Sequence, residues 1–289
     1  MPDLAREQLP PVRLPSGVEL AAEVTSTAAR RGAPPVVFLH GTTFSRGVWR
    51  PIADELAGLA AGIAVDLRGH GDSSNPEPPY HWSLFADDTI AFIEQLPPGA
   101  IVLCGHSLGG ATAAEVAARI PERVAALVLI EPVLAPRGVA PSDGLIEATL
   151  RRKRSWPDQA QAQEHFAARS PWRYWDREVL AGFFATGLTR TQDGGCTLSS
   201  PPEVAASVYA EALGSQAWSK LPHITCPVRV LRAAGDQGGR PSTASPLIAQ
   251  TTPDGTDRLI DGPSGHFLPM EQPQLIAEFI RETLTELPS

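Results

Sequence analysis

Five short apolar runs, each set off by turn-forming residues, constrain this chain more than any other feature. They are Pro35–Leu39, Ala61–Asp66, Ala100–Cys104, Val124–Ile130 and Pro227–Arg232. Runs that are apolar at consecutive positions suit strands buried on both faces. Between them, Trp49–Leu59, Leu84–Leu96, Leu108–Ile120 and Gln274–Leu284 place apolar residues three and four apart, the helical spacing. Strands alternating with helices predict an α/β fold: a mostly parallel central sheet with helices on both faces. Further strands are expected at Val12–Leu14 and Val18–Val24, around the Ser16-Gly17 turn. Such sheets hold ligands beyond the carboxyl ends of their strands, so the chemistry is expected just after each run.

The alternation breaks once. Residues 134–221 carry helix-like patterns and no clear buried strand, and nine of the chain's 18 aromatic residues fall there. This segment reads as a helical cap over the strand ends. Residues 1–133 and 222–289 then form one core. The cap holds ten basic and nine acidic residues, so the core carries −9 and accounts for the whole of the chain's net charge of −8. A near-neutral aromatic cover suggests a small, largely apolar substrate. An acidic chain lacks the basic footprint of nucleic-acid or anionic-membrane binding. Three scattered cysteines, Cys104, Cys196 and Cys226, make neither a disulfide framework nor a cysteine zinc site. The N-terminus has no apolar signal segment, and no run reaches the ~18 apolar residues of a membrane span. A soluble, cytoplasmic protein is the expectation.

The sharpest motif is Gly105-His106-Ser107-Leu108-Gly109, a G-x-S-x-G pattern extended by Gly110. The bland alternative is a Gly/Ser loop without chemistry. The context argues otherwise, because the motif follows a buried-strand run and opens a helical pattern, as a nucleophile elbow must. Together with Phe38-Leu-His-Gly-Thr-Thr43, Asp66-Leu-Arg-Gly-His-Gly-Asp-Ser73 and Gly265-His266-Phe267, in that order, it resembles the α/β-hydrolase superfamily. The likeness covers nearly the whole chain outside the cap.

That resemblance implies the order serine, acid, histidine. Ser107 is the expected nucleophile and His266 the expected base, since it alone of seven histidines lies beyond residue 223. A serine hydroxyl needs such a base, and a third group to orient it. The acid is expected at Asp236, in the turn after Val228–Leu231. Its plain alternative is an Asx turn. The rival is Glu131, at the end of the preceding strand, which also reads as a pocket-lining or structural carboxylate. Asp261 stands closer to His266 in sequence, on a loop too short to fold it back. By resemblance the backbone N–H groups of Thr42 and Leu108 form the oxyanion hole, with Thr43 as the off-by-one alternative; the threonine hydroxyls are read as turn bonds, the alternative being a further side-chain donor to the hole. His106 reads as a packed or solvent-facing neighbour. His40, His70, Arg68 and Asp72 read as loop-holding residues. The Arg151-Arg152-Lys153-Arg154 run reads as a solvated helix face; the alternative is that it holds a carboxylate, phosphate or carrier-linked substrate. Trp172 and Trp175 are candidate pocket residues.

The chemistry so implied is hydrolysis of an ester, lactone or thioester without metal or organic cofactor. Carbon–carbon bond hydrolysis and cofactor-free perhydrolysis use the same triad. A non-catalytic binding protein on the same fold is the alternative from another class. Superfamily members that use an aspartate nucleophile, the haloalkane dehalogenases and epoxide hydrolases, are disfavoured by Ser107.

Overall fold

The computed structural model describes residues 7–26, 29–30, 32–234 and 244–287. Eight strands form the central sheet: β1 (Glu7–Gln8), β2 (Ala22–Ser26), β3 (Val36–Leu39), β4 (Gly62–Val65), β5 (Ile101–His106), β6 (Val124–Ile130), β7 (Val228–Ala233) and β8 (Gly255–Ile260). Their order is β1-β2-β4-β3-β5-β6-β7-β8. From β4 to β8 every pairing is parallel; β1 and β2 add an antiparallel edge. The five apolar runs are β3 to β7. Part of the expected Val12–Val24 strand region pairs separately, as Val12–Arg13 against Glu19–Leu20.

The runs are continuously apolar because the sheet has two dry faces. Val37, Leu39, Leu103, Leu127 and Leu129 point to one face, against Phe85 and Phe92 of α2 (Trp82–Ile93) and Ala114 of α3 (Leu108–Arg119). Val36, Phe38, Val102, Cys104 and Val128 point to the other, against Ile52 of α1 (Arg50–Glu55). The same face takes Ile276 and Ile280 of the C-terminal helix Pro273–Glu286, which repeats buried apolar residues at three- and four-residue spacing. Each such side chain contributes roughly 1.5–3 kcal/mol by leaving water.

The segment between β6 and β7 contributes α4 (Leu145–Leu150), α5 (Gln159–Ala167), α6 (Arg177–Thr186) and α7 (Pro202–Ala210). It is not wholly helical. Ser155–Trp156, Leu188–Arg190 and Cys196–Leu198 make a small antiparallel sheet. These strands of two or three residues are too short to show a period-two pattern.

This segment is fastened to the core at two places. On one side α6 lies against the turn Arg46–Trp49 so closely that a Cβ on Gly47 would stand 2.1 Å from the Gly182 carbonyl oxygen. The Ser45 and Thr186 hydroxyls bond there at 2.8 Å. On the other side, the Trp82 indole N–H donates to the Val208 carbonyl at 2.8 Å, and the Tyr80 N–H donates to Ser207 Oγ at 3.1 Å. The space between the two fastenings lies over the carboxyl ends of β3, β5 and β6.

Candidate active site

The turn from β5 into α3 is sharp enough to need an unusual backbone. Ser107 takes φ 55° and ψ −117°. A Cβ on Gly109 would lie 2.1 Å from the Leu39 carbonyl oxygen, so glycine is required where α3 crosses the end of β3. Among the described residues only Thr43, Ser107 and Glu131 combine a side chain with a positive φ. All three follow carboxyl ends of central strands. Such residues cost about 1–3 kcal/mol each, and here the cost is gathered in one place.

His266 reaches this place from the loop after β8. Its Nε2 lies 3.1 Å from Ser107 Oγ, and its Nδ1 lies 3.4 Å from Glu131 Oε2. Glu131 is fully buried. Its own N–H donates to the Leu231 carbonyl, continuing the β6–β7 ladder, and its Oε1 accepts from the Ala233 N–H at 2.6 Å. The carboxylate thus bridges the ends of β6 and β7 beneath the imidazole. Glu131 does not line the cavity, unlike the pocket reading of the sequence; it lies behind His266. Asp236, the acid favoured from sequence, lies outside the described residues.

His106 has a part the sequence did not disclose. It is fully buried and its Nε2–H donates to the His266 carbonyl at 2.7 Å. Burial first, and then the nearness of His266, lowers its pKa to about 3, so the ring stays neutral. It fastens the backbone of the residue that faces Ser107. The alternation of side chains along β5 was the available signal: it puts His106 on the same buried face as Val102 and Cys104.

Thr42 is buried at the cavity wall and Thr43 stands beside it. Leu108 opens α3, so its N–H has no acceptor within the helix. Among the described residues neither the Thr42 N–H nor the Leu108 N–H donates to a protein group. The loop that carries Thr42 is held from below. His40 donates from Nδ1 to the Gly41 carbonyl at 2.8 Å and accepts from the Leu67 N–H at 3.0 Å. Arg68 forks onto Asp88 through two 2.6 Å bonds, and Asp72 accepts from Arg46 at 2.8 Å.

His70 completes that support, donating from Nδ1 to the Arg68 carbonyl at 2.9 Å. Burial lowers its pKa to about 4. An unfolded histidine titrates near pH ~6.5, so this group's contribution to stability is full above that pH and is lost as pH falls toward 4. His70→Asn keeps a donor and removes the titration. Urea unfolding between pH 4.5 and 6.5 should show a pH slope shallower than wild type by roughly 1.4 kcal/mol per pH unit. Identical slopes would mean that His70 is not held neutral.

Above Ser107 lies a cavity of about 390 Å³, lined by Ser107, His266, Thr42 and mainly apolar side chains. Trp172 lines it. Trp175 does not; it is buried among Phe44, Trp172, Phe183 and Phe267, with ring centroids 5.3–6.3 Å away. The segment needs a core of its own, and Trp175 is part of it. Phe44 carries that core onto the sheet, packing on Phe183 and on His106.

Residues 36–279 match the alpha/beta hydrolase family. The chain belongs to that family. This hydrolase is 30% identical to the lipase LipV of Mycobacterium tuberculosis over 88% of its own length and 94% of the relative's. It is 37% identical to a 2-(acetamidomethylene)succinate hydrolase of Mesorhizobium japonicum, over 37% of this chain and only 39% of that one. The crystal structure of E-2-(acetamidomethylene)succinate hydrolase superposes with a TM-score of 0.80 at 23% identity, covering 97% of this chain and 100% of that one. That likeness speaks for the fold. Among the described residues no helix is long and apolar enough to cross a membrane.

Proposed function

We propose that this hydrolase cleaves a carboxylic ester-type bond, in an ester, lactone or thioester, through an acyl-enzyme on Ser107. The observation that carries the reading is the 3.1 Å approach of His266 Nε2 to Ser107 Oγ at the floor of the cavity. Glu131 is the orienting acid in this reading, because it is the described carboxylate within reach of Nδ1. A proton on Nδ1, facing Glu131, leaves the Nε2 lone pair for the serine proton.

Ser107 Oγ attacks the carbonyl carbon as its proton passes to Nε2. The carbonyl oxygen takes the negative charge and receives the N–H groups of Leu108 and Thr42. Collapse breaks the acyl–oxygen or acyl–sulfur bond, and His266 returns the proton to the leaving alcohol or thiol. Water then gives a proton to Nε2 and attacks the acyl carbon; collapse breaks the acyl–Oγ bond, Nε2 returns the proton to Ser107 Oγ, and the acid departs. The buried position of Glu131 keeps its charge close to the imidazolium formed in each half-reaction.

Supporting this reading are the family, the lipase relative that aligns along most of the chain, and the largely apolar cavity. A fluorophosphonate probe tests it. The expected result is a single mass adduct on Ser107, with hydrolysis of aryl esters blocked in step with labelling. A folded protein inert to probe and esters, lactones and thioesters would overturn it. A protein that labels yet prefers vinylogous diketones would move the reading to carbon–carbon cleavage.

A further inference from the structure

Four consecutive basic residues follow α4, and the structure gives them different fates. Arg151 pairs with Glu147 at 3.5 Å, and both are largely exposed. Lys153 lies over the Trp156 ring, 5.6 Å from its centroid. Arg154 bonds Glu203 at 2.5 Å. Arg152 alone is half-buried and lines the cavity above Ser107. The run is therefore not one solvated helix face. The helix stops at Leu150, and the turn that follows sends Arg152 inward.

Among the described residues that line this cavity, Arg152 is the only one with a permanent charge. It makes no ion pair with a described carboxylate; Tyr209, which lines the same cavity and whose phenol burial keeps neutral, is the group its charge acts on. Arg152 also borders the small adjoining space beneath Trp172 and Phe166. A guanidinium facing a largely apolar chamber is poorly hydrated, and a neutral phenol leaves its charge uncompensated. It presents five N–H donors in a fork that matches a carboxylate. The sequence reading of a largely apolar substrate accounts for the walls of the chamber but not for this group.

We infer that the substrate carries a carboxylate at the end remote from the scissile bond, and that Arg152 with Tyr209 receives it. The substrate class is then a half-ester of a dicarboxylic acid, or the corresponding thioester or lactone. This rests on the serine-hydrolase reading above for the bond that is cut. The selection works by difference: the anion gains a charged partner in a low-dielectric site, and a neutral substrate of equal length leaves the cation unpaired.

The test pairs ethyl hydrogen esters of the C4–C6 dicarboxylic acids with ethyl esters of the monocarboxylic acids of equal length. Wild type should favour the anionic member by at least about tenfold in kcat/KM at its best length, carried mainly by KM. Arg152→Gln should remove most of that preference, and Arg152→Lys should keep part of it. The rate of fluorophosphonate labelling at Ser107 reports whether each variant keeps an intact site. A wild-type preference for the neutral esters, or an unchanged preference in Arg152→Gln with normal labelling, would overturn the inference. If no ester is cleaved and Ser107 does not label, the hydrolase reading fails instead. Calorimetry with glutarate then decides the anion site alone. Binding to wild type that weakens about tenfold or more in Arg152→Gln upholds it, and equal or absent binding overturns it.

Discussion

Ser107→Ala is expected to lower kcat/KM on the best ester by about a hundred-thousand-fold to a million-fold, with an unchanged urea midpoint. The size follows from what is lost. The oxyanion donors and the cavity remain, so some acceleration over water survives, but no acyl-enzyme forms. Stability should hold because the hydroxyl's described partner is His266 Nε2, and the strained φ is as costly for alanine as for serine. His266→Ala should cost about as much, and the double variant little more, since nucleophile and base act as one unit. Activity in Ser107→Ala within about tenfold of wild type would remove Ser107 from the chemistry.

Glu131→Gln is expected to lower kcat by about a thousandfold to ten-thousandfold, while Asp236→Asn stays within about threefold of wild type. The argument is one of tautomers. The Ala233 N–H needs an acceptor, so the amide oxygen takes that side and the NH2 group turns toward His266 Nδ1. A donor there favours the ring form with its proton on Nε2, which cannot accept from Ser107. The imidazolium also loses its counter-charge. The loss should be nearly independent of substrate, in contrast to changes at Arg152. The opposite pattern, a large loss in Asp236→Asn and a small one in Glu131→Gln, would return the orienting role to the position that the sequence favours.

The choice between Glu131 and Asp236 marks where the sequence stops being legible. β3 to β7 could be read because strands dry on both faces leave continuous apolar runs. The elbow could be read because Gly105, Ser107 and Gly109 must sit at fixed spacing for α3 to cross β3. The order of the blocks pointed to His266. The acid was harder for a geometrical reason. The ends of β6 and β7 are neighbours, each is followed by a carboxylate, and sequence does not say which one packs beneath the imidazole. Arg152 was hidden by its own neighbours, because four basic residues in a row look like a single wet face unless the helix is seen to end before them. Trp172 and Trp175, three residues apart, look equivalent, and only packing separates the wall residue from the core residue.

The contact of Gly47 with Gly182 bears on how relatives of this chain can be sorted. The two backbones touch where α6 meets the core, so neither position has room for a side chain. The pair is a two-letter signature of this particular docking. A relative with glycine at both aligned positions can seat its segment between β6 and β7 in the same pose. One with a bulkier residue at either must displace α6, and with it the Trp172 wall. Specificity transferred by alignment should be trusted within the first group and rebuilt for the second.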